Sequence, residues 1–372
     1  MDQALNPFPW FRMMRESAPV YFNSRNKMWS VFRYTDVQRV LSDHTSFSSQ
    51  IMDSNQPLDA SIVNTDPPRH RQLRSLASQA FTPRAIAQLT PRISEIVHEL
   101  LDHVVSRGRM DVIDDLSYPL PVMVIAEMLG VPLADRERFK RWSDQVVGAT
   151  SSSAQDPQQE MSEYFLWMIE QRRREPHDDL ISALLAAQDE GQRLSVQELL
   201  GFCIILLVAG NETTTHLIGN AVLCFDEYPE VVEQLLAEPA LLPDAIEEVL
   251  RYRSPLKVMF RAANIDTKIG DQVIPAGQGV MAWIGSANRD EAQFPGAETF
   301  DIRRSPNRHL AFGYGIHFCL GAPLARLEAK IALGIMLERL QEIQRDRDVP
   351  LEASEAFILH GVKHLPIVFN GN

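Results

Sequence analysis

The stretch FGYGIHFCLG, residues 312–321, decides how the rest of the sequence is interpreted. It leads into apolar residues at near-helical spacing over residues 322–340, so Cys319 is expected at or just before the start of a helix. Pro323 suits the first turn of that helix, where a missing N–H group leaves no hydrogen bond unmade. Free amide groups and the helix dipole would lower the pKa of the thiol and favour a thiolate, which binds metals.

Glycines flank this cysteine, two before it and Gly321 after it. They permit close approaches that side chains would block, so a flat cofactor could lie against the loop. Phe312 would pack near the sulfur, and His317 would donate a hydrogen bond to an anionic group. A lone cysteine is more often a buried structural thiol, and that is the interpretation for Cys203 and Cys224. The ten-residue pattern favours a metal ligand here.

The pattern Phe-Gly-x-Gly-x-His-x-Cys-x-Gly resembles the haem-binding loop of the cytochrome P-450 superfamily, the haem-thiolate monooxygenases. The resemblance implies haem b, with its iron ligated by Cys319 and with Phe312, His317 and Gly321 as haem contacts. It also implies a mainly α fold with small β-sheets, in which haem lies between a long central helix and the cysteine loop and helix. Because no linker divides the chain, we expect one domain over residues 1–372.

A second stretch predicts a basic site. The sequence PPRHRQLR, residues 67–74, opens a helix and places His70 and Arg74 on one face. Taken alone, this is a solvated basic helix start. The resemblance implies that both contact haem propionates, with Arg261 as a further partner. The other arginines would form an outer patch able to bind an acidic electron donor: Arg69, Arg71 and Arg84.

The central helix is predicted from SVQE, residues 195–198, which has the form of a capping box, to about residue 225. At about 1.5 Å per residue it would span roughly 45 Å. Within it, Ala209 and Gly210 would leave room against a flat ligand. Thr213 can bond the carbonyl of Ala209 one turn back and loosen the helix locally.

The hexapeptide AGNETT, residues 209–214, resembles the oxygen-activation motif of the family. The resemblance implies that Glu212 and Thr213 deliver protons to reduced oxygen, which is general acid work. Without it, a carboxylate beside ordinary helix threonines would be expected to face solvent.

A pair of charged residues is predicted to stabilise the fold. Glu248 and Arg251 lie three apart on one helix face and resemble the Glu-x-x-Arg motif of the family. Arg304 is the expected third member of their network, with Arg303 as the alternative.

The substrate pocket is predicted from residues 254–261, an extended segment after the helix. Its apolar residues would line the distal cavity, with packing in the core as an equal alternative: Leu256, Val258 and Met259. A C-terminal hairpin of residues 357–359 and 365–369 would bring Ile358 to the substrate.

Composition limits the partners. A net charge of −13 argues against nucleic acid and anionic membranes. The apolar run 202–209 is too short to span a bilayer, so a cytoplasmic protein without a membrane anchor is expected. The sequence shows no flavin, nicotinamide or iron–sulfur fingerprint. Electrons would therefore come from a ferredoxin or flavodoxin with an NAD(P)H-dependent reductase.

The predicted function is insertion of one atom of O₂ into a small apolar substrate by hydroxylation or epoxidation. A peroxide-driven peroxygenase is the alternative within the enzymes. A haem sensor or carrier without turnover is the alternative from another class, and it would need neither Glu212 nor Thr213.

Overall fold

A computed structural model describes residues 4–51, 60–135, 138–139, 141–142, 157–187 and 191–371. The sequence also predicts a helix over residues 136–147 and a Ser-rich surface loop over residues 150–157, and both fall wholly or largely outside the described residues. Within them the α-helices are α1 (Phe8–Ser17), α2 (Tyr34–Ser42), α3 (Arg69–Ala80), α4 (Pro83–Gln88), α5 (Thr90–Asp102), α6 (Pro119–Met128), α7 (Pro157–Arg174), α8 (Leu180–Ala186), α9 (Val196–Glu227), α10 (Pro229–Ala237), α11 (Leu242–Tyr252), α12 (Ile284–Ala287) and α13 (Ala322–Arg339).

The strands form small sheets beside the helices. They are β1 (Val20–Asn23), β2 (Met28–Val31), β3 (Phe47–Ser48), β4 (Arg109–Asp111), β5 (Met259–Ala263), β6 (Thr267–Ile269), β7 (Gln272–Ile274), β8 (Gly279–Ala282), β9 (Leu340–Arg345) and β10 (Pro366–Gly371). One sheet has the order β1-β2-β8-β5-β3, a second has the order β4-β10-β9, and β6 pairs with β7. The predicted mainly α fold with small sheets is confirmed.

The helix α9 is the central helix. Its capping box forms as predicted: the Ser195 hydroxyl accepts from the Glu198 amide at 3.2 Å, and the Glu198 carboxylate accepts from the Ser195 amide at 2.8 Å. The helix packs on α6, α7, α11 and α13. It therefore runs through the main core and contacts α13, the helix that follows the cysteine loop.

Judged by length and composition alone, α9 is long and apolar enough to cross a membrane. The sequence analysis considered only the apolar run 202–209, which is too short to do so. Helices in the core of a soluble protein pass this test too. The packing of α9 against α6, α7, α11 and α13 accounts for its apolar composition without a bilayer.

The predicted C-terminal hairpin is wrong in its pairing. The strand β10 pairs with β4 and β9 rather than with residues 357–359. Leu359 instead bridges Leu256, and Ala353 bridges Val362. Alternating apolar residues predict that a segment is extended but not which strand it joins, because pairing depends on distant parts of the chain.

Candidate active site

The loop around Cys319 is folded tightly against the start of α13. The Cys319 amide donates to the Phe312 carbonyl at 2.8 Å. Gly313 and Gly315 have φ of +73° and +75°, in the region that favours glycine. A Cβ on Gly315 would lie 2.9 Å from the Cα of Ser42, so no side chain fits there. Gly321 has an ordinary φ of −80°, so its conformation does not require glycine.

The thiol of Cys319 is accessible to solvent but surrounded by protein atoms. Burial raises its pKa, while the backbone amides of Gly321 and Ala322 and the charge of Arg74 act in the opposite direction. The helix amides thus lower the thiol pKa as predicted, but the cost of burying a thiolate is larger, so the net shift is upward. A bound cation would reverse that balance by stabilising the thiolate directly.

Phe312 packs against Arg326, a residue that the sequence analysis did not identify. The Arg326 guanidinium lies 4.4 Å from the centre of the Phe312 ring. Arg326 also contacts both carboxylate oxygens of Glu247, at 2.6 and 2.8 Å, and His309 approaches the same carboxylate at 3.0 Å. These partners lower the pKa of Glu247 to about 2, despite the opposing effect of burial. The contacts tie α13 and the cysteine loop to α11.

Four basic side chains form what we call the basic cluster: His70, Arg74, Arg261 and His317. Helix α3 supplies the first two, β5 supplies Arg261, and the cysteine loop supplies His317. The imidazole rings of His70 and His317 lie 4.1 Å apart, and Ser49 lies 2.9 Å from Nε2 of His317. The residues predicted to bind propionates are thus brought together from three parts of the chain.

In the described part of the chain no carboxylate lies within salt-bridge distance of the basic cluster, although the charge of Asp66 acts on His70 and Arg261. Among the described residues, neither Arg74 nor Arg261 forms a salt bridge, and Nε2 of His70 is buried without a hydrogen bond. Burial lowers the pKa of Arg74, and it lowers that of Arg261 to about 10. Burial, then the charges of His70, Arg261 and Arg74, lower the pKa of His317 to about 3. Asp66 compensates this positive charge only in part, and the remainder favours a bound anion.

The outer basic patch is smaller than predicted. Arg69 binds the carboxylate of Glu198 at 2.6 and 2.5 Å, which fastens α3 to the first turn of α9. Its charge is therefore already balanced. Arg84 is exposed, in agreement with the prediction.

The AGNETT motif lies in the middle of the central helix. Its Thr213 makes the predicted hydrogen bond, whereas Gly210 faces another helix. The Thr213 hydroxyl donates to the Ala209 carbonyl at 2.8 Å, and Ala209 is exposed although it lies in the middle of a core helix. Gly210, however, makes room for α6: a Cβ there would lie 2.7 Å from Cδ1 of Ile125. The side-chain direction at Gly210 therefore points at α6, and contact between Gly210 and a ligand stays a prediction.

Glu212 is half-buried and has a neighbour that the sequence analysis missed. Its Oε2 atom lies 3.7 Å from Nε2 of His216, one turn further along the helix. His216 is buried, and burial together with the charge of Lys257 lowers its pKa to about 4. The imidazole is therefore neutral near pH 7. A search for polar residues four positions after Glu212 would have found it.

The Glu248 network, as we call it, joins Glu248, Arg251, Arg304 and Asn307. Arg251 contacts both carboxylate oxygens of Glu248 at 2.8 and 2.7 Å, and both side chains are fully buried. Arg304 reaches Glu248 at 3.2 Å, whereas Arg303 pairs with Glu238 at the surface. The sequence analysis missed Asn307, which donates to Glu248 at 3.1 Å.

The predicted pocket residues lie in three different environments. Val258 is buried in a packed cluster with Phe11 and Trp283, so its assignment to the pocket is corrected to core packing. Leu256 and Met259 are half-buried and pack against a different cluster. Ile358 is exposed, and its carbonyl accepts from the Lys257 amide at 2.8 Å.

Comparison with known proteins decides the family. The family described as "Cytochrome P450" matches residues 16–165 and 132–365. The chain belongs to the cytochrome P450 family. It is 43% identical to "Cytochrome P450 109" of Bacillus spizizenii (98% of this chain, 92% of the relative). It is 42% identical to the "Mycinamicin IV hydroxylase/epoxidase" of Micromonospora griseorubida (92% and 89%). Substrate-free CYP109E1 of Bacillus megaterium superposes with a TM-score of 0.94 at 42% identity (99% and 100%).

Membership of the P450 family makes this protein a haem-thiolate monooxygenase that uses O₂ and an external redox partner. The residues present fit haem. An accessible thiol stands beside the basic cluster, whose buried nitrogen on His70 has no partner among the described residues. Ala209 is exposed, whereas its neighbours along the helix are half-buried or buried.

Proposed function

We propose that Cys319 ligates the haem iron and that the basic cluster binds the haem propionates. The observation that carries this assignment is the convergence of His70, Arg74, Arg261 and His317, with no salt bridge to Arg74 or Arg261 among the described residues. Propionates would supply the missing negative charge. Phe312 and Gly321 would contact the cofactor next to the sulfur, and Ala209 would contact it from the central helix.

When bound, haem with a thiolate ligand supplies the activation of O₂. We infer that Thr213 and Glu212 manage the protons that this chemistry consumes. Because the Thr213 hydroxyl donates to the Ala209 carbonyl, its oxygen is oriented to accept a hydrogen bond from the other side. Glu212 is half-buried beside it and can pass a proton inward from the direction of His216.

We propose that the electrons come from a ferredoxin or flavodoxin served by an NAD(P)H-dependent reductase, in the cytoplasm and away from membranes. We further propose that residues 1–372 form one domain, because one hydrophobic core cluster includes residues from Ile62 to Phe369. The substrate is an apolar organic molecule that is hydroxylated or epoxidised, the reactions named for the relative from Micromonospora griseorubida.

The first experiment is the absorption spectrum of the reduced, CO-bound protein for the wild type, Cys319→Ser and the control Cys224→Ala. We expect the red-shifted Soret band of thiolate-ligated haem in the wild type and the control, and its loss in Cys319→Ser. Cys224 is buried in the core, so its substitution tests whether any lost cysteine has the same effect. A red-shifted band that survives in Cys319→Ser would overturn the assignment.

A second experiment separates O₂ use from peroxide use. With a ferredoxin system, Thr213→Val should divert more of the consumed NADPH to hydrogen peroxide, because proton delivery becomes less controlled. Thr214→Val is the matched control, since Thr214 is buried in the same helix. Unchanged peroxide release in Thr213→Val, or faster product formation from peroxide than from O₂ in the wild type, would favour the peroxygenase alternative.

A further inference from the structure

His216 is a buried histidine in the central helix that makes no side-chain hydrogen bond to the described residues. Its side chain is 5% exposed, and both Nδ1 and Nε2 are buried without a partner there. A buried polar group without a hydrogen bond is costly and therefore uncommon. His216 lies four residues after Glu212 and three after Thr213, so it shares a helix face with both members of the proposed proton-delivery pair.

The Nδ1 atom of His216 faces Gly361, in the segment before β10. A Cβ on Gly361 would lie 2.2 Å from Nδ1, so one Cα hydrogen of that glycine points at this nitrogen. An N–H group at Nδ1 would meet the C–H group head-on, whereas a bare nitrogen can accept the weak C–H contact. The geometry therefore favours the tautomer that carries its proton on Nε2. The same contact holds the ring in place.

The Nε2 atom of His216 faces the carboxylate of Glu212. The distance from Nε2 to Oε2 is 3.7 Å, which is too long for a hydrogen bond but can be closed by a small rotation of the flexible Glu212 side chain. Burial, and then the charge of Lys257, lower the pKa of His216 to about 4, so the ring is neutral near pH 7 and keeps one N–H group. A carboxylate oxygen is a strong acceptor for that group.

We propose that His216 is a positioning residue for proton delivery: its Nε2–H group donates to Oε2 of Glu212 and holds that carboxylate beside Thr213. This inference rests on the proposed function, because it assumes that Glu212 and Thr213 manage the protons. With one carboxylate oxygen held by His216, the other oxygen remains to take up and release protons. Without His216, the Glu212 side chain would sample more rotamers, and fewer of them would place the carboxylate correctly.

The first test measures NADPH consumption by the haem-loaded protein at saturating ferredoxin, with dodecanoic acid as an apolar probe. We expect His216→Leu to slow consumption by about tenfold, as for loss of one hydrogen bond to a charged group. His216→Gln should stay close to the wild type, because its amide nitrogen reaches about as far as Nε2 of histidine. In the Glu212→Gln background, His216→Leu should have no further effect, since His216 acts through that carboxylate.

The second test does not depend on turnover. The reduced, CO-bound protein is diamagnetic, so nitrogen NMR of labelled histidines reports which ring nitrogen carries the proton. The signals that disappear in His216→Leu belong to His216. We expect a neutral ring with its proton on Nε2, and a shift of the Nε2 signal in Glu212→Gln.

The matched control is His360→Leu, which removes another buried imidazole, one whose Nε2 lies 3.3 Å from the Leu5 carbonyl. Its effect should be the same with and without Glu212→Gln. The proposal is overturned if His216→Leu also acts equally in both backgrounds, if it has no effect in either, or if the proton lies on Nδ1. Failure of the proposed function would look different: Glu212→Gln alone would consume NADPH as fast as the wild type.

Discussion

The Glu248 network and the basic cluster both bury charged side chains, but only the first contains its own counter-ion. In the network, one carboxylate receives Arg251, Arg304 and Asn307, and Arg251 also donates to the carbonyls of residues 288, 297 and 299. In the basic cluster, burial lowers the pKa of Arg261 and no acidic partner lies within salt-bridge distance in the described chain. The Glu248 network stabilises the fold, whereas the basic cluster is suited to binding an anion.

The largest expected effect is in the network. Arg251→Ala leaves Glu248 buried without its main partner, and we expect a loss of about 3–5 kcal/mol in the free energy of unfolding. Haem would be lost with the fold. Chemical denaturation of the apoprotein and the haem-loaded protein measures this loss. Arg303→Ala is the control, because its pair with Glu238 is about half exposed at 53% for each side chain and should contribute little. Equal effects of the two substitutions would contradict the comparison.

The sequence predicted the parts of the site that depend on short spacings. The cysteine loop, the capping box of α9, the Thr213 bond to Ala209 and the approach of Glu248 to Arg251 all lie within one loop or helix. Their geometry follows from local rules, because helical residues three or four apart always share a face.

The predictions that failed depend on distant contacts. For Val258 the sequence left the pocket and the core as equal alternatives, and the choice is made by packing against Phe11 and Trp283, far away in sequence. Residues 357–359 were predicted to be a hairpin arm, and they join Leu256 instead. Spacing does not determine which element packs against a segment, and burial of the Cys319 thiol likewise comes from its three-dimensional neighbours.

Glu328 is an exception among the well-paired charges near the cysteine helix. It is buried on α13, its Oε2 has no hydrogen bond among the described residues, and burial raises its pKa to about 8. The folded protein therefore holds a proton that the unfolded chain releases above its ordinary pKa of 4.5. Stability is then lost progressively as pH rises from the unfolded pKa towards the folded pKa.

We expect Glu328→Gln to remove this pH dependence. The gain over the wild type should be small near pH 5 and reach about 2–4 kcal/mol near pH 8. Thermal unfolding across that range measures it, with Glu338→Gln on the same helix as the control for loss of a carboxylate. A gain that does not grow with pH would show that Glu328 is ionised in the folded protein and has a counter-charge.

Arg261→Met tests the basic cluster. In the apoprotein it should stabilise the fold, whereas Arg251→Ala should destabilise it. Burial lowers the pKa of Arg261 more than the charge of Asp66 raises it, so removing this buried charge should raise the free energy of unfolding of the apoprotein by about 1–3 kcal/mol. The same substitution should speed the transfer of haem to apomyoglobin. Arg84→Met, at an exposed arginine, is the control for loss of charge. If Arg261→Met destabilises the apoprotein, the cluster has an internal partner and the contrast with the network disappears.

The smallest effect concerns whether Gly210 faces a ligand or the protein. Because its missing side chain makes room for Cδ1 of Ile125, Gly210→Ala should be more favourable when Ile125→Val has removed that atom. We expect a coupling of about 1 kcal/mol in a double-mutant cycle of unfolding free energies.

The higher helix propensity of alanine, about 1 kcal/mol over glycine, enters both backgrounds equally and cancels in the cycle. Spectra of the reduced, CO-bound protein provide the second readout, and they should be unchanged in Gly210→Ala if α6 fills the space. A shifted CO spectrum without coupling to Ile125 would mean that position 210 contacts the ligand side after all. Gly210 would then lie on the exposed face of α9 together with Ala209, rather than at the contact between α9 and α6.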